Sequence, residues 1–188
     1  MSEAEGGGAA AARDELRAAA DLVGRLLLRE LEPADLARWR AAGLVDELAR
    51  AGLVLPDAGG QAEWLDERAA EFHDLFLRPE SGPLVQSLWT QGRYEGDATV
   101  RVRQLAEHAG LEFQRGPARG AAVDHLGSLL LMWAATSSSA PPVADELVRE
   151  HLEWARAPLT RIARRDGFYG AVAKLALATL DELAATLD

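Results

Sequence analysis

The feature that most constrains this chain is a largely apolar series near its C-terminus: Phe168, Val172, Leu175, Ala176, Thr179, Leu180, Leu183 and Leu187. Steps of three and four residues place all of them on one face of a helix, whereas a strand would scatter them over both of its faces. The same period opens the chain, where Leu16, Ala19, Val23, Leu26 and Leu27 form a stripe with Arg13, Arg17, Asp21 and Arg25 outside it. No alternating β-branched run and no hairpin dipeptide between two such runs interrupts this pattern, so no sheet is expected. Of the 188 residues 48% are apolar and only 6% aromatic, and the bulk are Ala and Leu, which lose least on entering a helix. The expectation is an all-α, single-domain helical bundle spanning 10–188, preceded by a disordered tail at 1–9.

Helix breakers divide the rest. Pro33 suits a first helical position and Asp35 a first turn, so a second helix should run to about residue 50. After the turn around Pro56, Gly59 and Gly60, a third helix carries Leu65, Phe72, Leu75 and Phe76 inward and stops before Pro79. Shorter helices follow at 82–91 and 97–109, the latter capped by Gly110. Residues 114–120 hold more breakers than any other interior stretch and read as a hinge between two helical halves. Leu126, Leu129, Leu130 and Trp133 then mark a helix buried on most sides, Pro141 and Pro142 fall in a polar loop, and Pro158 should kink the helix opened by Asp145.

Composition excludes several functions. Without cysteine there is no disulfide, thiolate metal site or cysteine nucleophile, and a cytoplasmic setting is the simplest. A formal net charge of -10 opposes binding to phosphate backbones. The N-terminus lacks the basic and apolar regions of a secretory leader, and no apolar run approaches the roughly 20 residues of a membrane span. Nucleotide-binding glycine motifs and the serine nucleophile elbow are absent. No cofactor is expected.

Two short motifs remain as candidates. Glu71-Phe72-His73-Asp74-Leu75-Phe76 places three apolar residues at helical spacing, which is ordinary core or one wall of a groove. Asp124-His125 opens the most apolar helix, where an aspartate favours the helix dipole and the histidine is a boundary residue. A metal-dependent helical hydrolase built on His73, Asp74, Asp124 and His125 is the enzymatic alternative. The usual zinc and di-iron helix motifs are missing.

Taken in order, these motifs resemble the TorD/DmsD-type, NarJ-related maturation chaperones of molybdoenzymes, over roughly residues 12–187. The family's aromatic-x-x-Leu-Phe motif corresponds to Phe72, Leu75 and Phe76, its proline turn and serine to Pro83 and Ser87, and its later His-Leu and Trp to His151, Leu152 and Trp154. Its Glu-Pro-x-Asp-His motif survives only as Asp124-His125, with Ala121 and Ala122 in place of Glu-Pro. The resemblance implies a non-enzymatic cytoplasmic chaperone that binds the twin-arginine signal peptide and apo form of a molybdoenzyme catalytic subunit. Phe72, Leu75, Phe76, Pro83 and Trp89 would line the peptide groove, with Asp124 supplying charge and His125 positioning it. An adaptor for a respiratory enzyme subunit without such a leader is the other binding alternative. A monomer is the default, and the hinge would allow a dimer that exchanges helical halves.

Overall fold

The computed structural model describes residues 3–78, 82–113 and 122–187, with side chains from residue 11 onward. The chain is all-α, and its helices are α1 (Glu3–Leu28), α2 (Pro33–Ala41), α3 (Val45–Arg50), α4 (Gln61–Phe72), α5 (Gln86–Gln91), α6 (Asp97–His108), α7 (Leu126–Thr136), α8 (Pro141–Glu146), α9 (Arg156–Ala163) and α10 (Phe168–Ala185). α1 begins at Glu3, within the stretch 1–9 read as a tail, and runs on through the alanines at 9–12. The proposed hinge at 114–120 lies outside the described residues.

α7 is the centre of the bundle. Leu126, Leu129, Leu130, Met132 and Trp133 are buried, and its most extensive packing is against α1. Two glycines make that approach close: a β-carbon on Gly127 would stand 2.5 Å from the Gly24 carbonyl oxygen, and one on Gly24 would stand 2.9 Å from the Gly127 carbonyl oxygen. Any side chain at either position would separate the helices. α10 lies against α1 and α9, burying Phe168, Val172, Ala176, Thr179, Leu180 and Leu183 from the expected stripe.

Local chemistry moved several boundaries. The expected second helix breaks at Gly43, whose φ of 72° ends α2 before α3 begins. Pro141 and Pro142 start α8 instead of lying in a loop, because a first helical turn needs no amide there. Pro158 sits in the first turn of α9, and the break expected at it falls just earlier, in a tight 3-10 turn at Glu153–Ala155. Arg29 and Asp35 close the α1–α2 corner with paired contacts of 2.8 and 2.7 Å, and Asp35 also accepts the Glu32 amide at 3.0 Å. Burial would raise the Asp35 pKa, but these bonds outweigh it and hold the carboxyl below its usual range.

Candidate functional site

Asp124 and His125 sit where two helix N-termini meet. Val85 and His125 are both extended and form an antiparallel bridge, with Gln86 donating its amide to the Asp124 carbonyl at 3.0 Å and Leu126 to the Leu84 carbonyl at 2.8 Å. This two-residue crossing ties the start of α5 to the start of α7. Asp124, fully buried, uses Oδ2 to accept the Ser87 amide at 2.8 Å and so caps α5 from 37 residues away. His125 caps its own helix, its Nδ1 accepting the Gly127 amide at 3.1 Å. An accepting Nδ1 requires a neutral ring with the proton on Nε2. Burial enforces that state by lowering the His125 pKa from 6.5 to about 4, against a weaker opposing effect of the Asp124 charge.

A third segment completes the junction. Leu147–Leu152 is a π-helical turn, and on it the buried His151 uses Nδ1 to contact Gln86 Oε1 at 2.8 Å. Gln86 Nε2 donates to the Glu150 carbonyl at 3.0 Å. Burial lowers the pKa of His151 as well. Gln86 carries no sequence signal, since a glutamine in a six-residue helix resembles any surface residue. Its partners lie 64 and 65 residues on.

Pro83 and Trp89 border this junction and are half-buried. Trp89 Nε1 donates to the Pro83 carbonyl at 2.8 Å, and the guanidinium of Arg161 stands 4.7 Å from the indole ring centre. Gly82, at φ 74°, lies under the same ring, which a β-carbon would meet at 3.0 Å.

Phe72, Leu75 and Phe76 are placed differently, each under 5% exposed. Phe72 and Phe76 pack ring to ring at 5.0 Å, and both contact Tyr169 of α10 at 5.5 and 5.4 Å. Phe168 and Trp64 extend the cluster. The preceding Glu71 accepts the Tyr169 amide at 3.0 Å, joining α4 to the N-terminus of α10. The structure therefore gathers Pro83, Trp89, Asp124 and His125 into one junction and places Phe72, Leu75 and Phe76 in an aromatic core cluster with α10.

The metal alternative finds no assembly. His73 and Asp74 are more than half exposed while Asp124 and His125 are inside, and no group of three metal-binding side chains occurs among the described residues. No helix among the described residues is long and apolar enough to cross a membrane. A separate apolar groove of about 320 Å³ runs between α1 and α7, lined by Leu28, Leu111, Phe113, Leu131 and Met132.

Comparison with known proteins places the chain in a family and a fold. The chain matches the nitrate reductase delta subunit family over residues 32–160, a span holding every residue of the junction and most of the aromatic cluster. It superimposes on the crystal structure of a candidate redox enzyme maturation protein from Archaeoglobus fulgidus with a TM-score of 0.60, at 17% identity, covering 92% of this chain and 93% of that one. At that identity the likeness speaks for the fold. No curated protein sequence matches. The match over more than half its length makes this chain a member of the nitrate reductase delta subunit family, the NarJ/TorD-like group of non-catalytic redox-enzyme maturation chaperones.

Proposed function

We propose that the protein is a cytoplasmic chaperone that holds the twin-arginine signal peptide, and with it the apo form, of a molybdoenzyme catalytic subunit until maturation is complete. Residues 10–188 act as one chaperone domain, and the protein works as a monomer. The family match over 32–160 carries this reading. The surface around α5 supports it. A leader with two arginines before an apolar stretch needs carboxylates beside an apolar, partly exposed face. Trp89 and Pro83 provide the face. Glu150, exposed on the turn bonded to Gln86 of α5, and Glu146, exposed at the end of α8, have no ion-pair partner among the described residues and supply the carboxylates.

The seven residues singled out in the sequence divide accordingly. Pro83 and Trp89 contact the leader, while Phe72, Leu75, Phe76, Asp124 and His125 hold that surface in place from inside. Asp124 orients α5 and does not meet an arginine, because its charge is buried and already accepts the Ser87 amide.

Affinity capture with the tagged full chain from its native cytoplasm, followed by mass spectrometry, tests the reading. The expected catch is a molybdoenzyme precursor with its leader attached. Recovery of mature enzymes alone would refute it. The match to the nitrate reductase delta subunit family favours a second reading, in which the client is a respiratory nitrate reductase subunit without a twin-arginine leader. Replacing both arginines of a synthetic leader by glutamine separates the two: binding is lost on the first reading and unchanged on the second.

A further inference from the structure

Four buried side-chain atoms near the start of α5 have no hydrogen-bond partner among the described residues: Ser87 Oγ, Thr99 Oγ1, Asp124 Oδ1 and His151 Nε2. Their residues are between 0% and 2% exposed. They come from four segments that share neighbours. Asp124 holds the Ser87 amide with its other oxygen, and His151 holds Gln86, the residue before Ser87. Gly96, one helical turn before Thr99, lies so near that a β-carbon on it would meet Ser87 Cβ at 2.9 Å. The charge of Asp124 is felt at His151.

Their hydrogen-bonding capacities are complementary to one kind of ligand. Gln86 Nε2 donates to the Glu150 carbonyl, so its Oε1 faces His151, and Nδ1 must carry the ring proton. His151 Nε2 is then a bare acceptor. An ionised Asp124 Oδ1 is another. The Ser87 and Thr99 hydroxyls each have one proton to donate. A group that donates twice and accepts up to twice fits this set, and water is the smallest such group. A metal ion suits it less well, with only one carboxylate and one imidazole on offer.

We propose that Ser87, Thr99, Asp124 and His151 enclose an internal water site that joins α5, α6, the approach to α7 and the π-helical turn. Buried waters with about three such bonds are structural parts of a protein and costly to remove. This one would fix α5, and so the orientation of Trp89, without itself depending on the identity of the client.

Water-selective nuclear Overhauser spectra of the isotope-labelled full chain test the site. The Ser87 amide proton is expected to show a cross-peak to water with the sign of a long-lived bound molecule. The cross-peak should persist in Ser87→Ala, where Asp124 and His151 still hold the water and relay through the serine hydroxyl is excluded. The His151 ring nitrogens should report the Nδ1–H form. Absence of the cross-peak in the wild-type protein, or its loss in Ser87→Ala, would overturn the proposal. So would an Nε2–H ring, or an atomic-resolution crystal structure showing the Asp124 and His151 atoms bonded directly to the hydroxyls.

Discussion

The two motifs that stand out in the sequence are both buried, yet they are held by different physics. Around Phe72, Phe76 and Tyr169 the structure relies on apolar area and ring packing. Around Asp124, His125, Gln86 and His151 it relies on side-chain hydrogen bonds, all but the local His125 cap joining segments far apart in sequence. The first kind of contact is insensitive to pH and tolerant of shape-preserving change. The second depends on protonation state, and removing one partner strands another. In this fold the aromatic cluster supplies stability, and the polar junction sets where α5 sits.

The sharpest test of that contrast is Phe76→Ala, expected to cost about 3–5 kcal/mol through lost burial and the cavity left behind. Phe76→Leu should recover most of that cost. Chemical denaturation followed by circular dichroism measures both, and a small effect of the alanine variant would break the comparison on its apolar side.

Acid should act on the other region. His125 has a folded pKa of about 4 against 6.5 unfolded, so the unfolded chain binds a proton that the folded one refuses across that window. Stability contributed by the neutral ring is complete above pH 6.5 and is lost as pH falls, by roughly 3 kcal/mol on reaching pH 4. His125→Asn keeps a side-chain acceptor for the Gly127 amide and removes the titration. Its stability should therefore fall less between pH 6.5 and 4 than that of the wild type. Parallel pH profiles would refute the assignment.

Removing the Asp124 carboxylate leaves the buried Ser87 amide without an acceptor. Asp124→Ala is expected to cost about 2 kcal/mol. Hydrogen exchange should speed up at α5 and stay nearly unchanged in α10. Uniform acceleration would mean that the junction has no local role. The smallest effect belongs to Tyr169→Phe. The Tyr169 hydroxyl is buried with no partner among the described residues, so its loss should leave stability unchanged or raise it by up to about 1 kcal/mol. A marked loss would reveal a polar interaction inside the aromatic cluster.

The helical fold was legible because its signal is local. The stripes from Leu16 to Leu27 and from Phe168 to Leu183 place side chains that the structure buries wholly or in part. Positions of glycines and prolines were legible too, but not always their roles: Pro141 reads equally as a loop residue or a first helical position. The site was legible as a pair of motifs and not as an arrangement. Nothing near Asp124 in sequence says that its carboxylate caps a helix 37 residues earlier, or that Gln86 joins His151. Spacing pointed Phe72, Leu75 and Phe76 inward but left open whether they face a groove or a core, since it is the same in both.

The account turns on whether the buried motifs contact the client or only hold the surface that does. Titrating a fluorescent leader, taken from the captured precursor, onto the wild-type chain, Trp89→Ala and Phe76→Leu measures this directly. The account predicts that Trp89→Ala, still folded at the assay temperature, weakens binding at least tenfold, while Phe76→Leu binds like the wild type. Wild-type affinity in Trp89→Ala, with loss of binding in a folded Phe76→Leu protein, would contradict it.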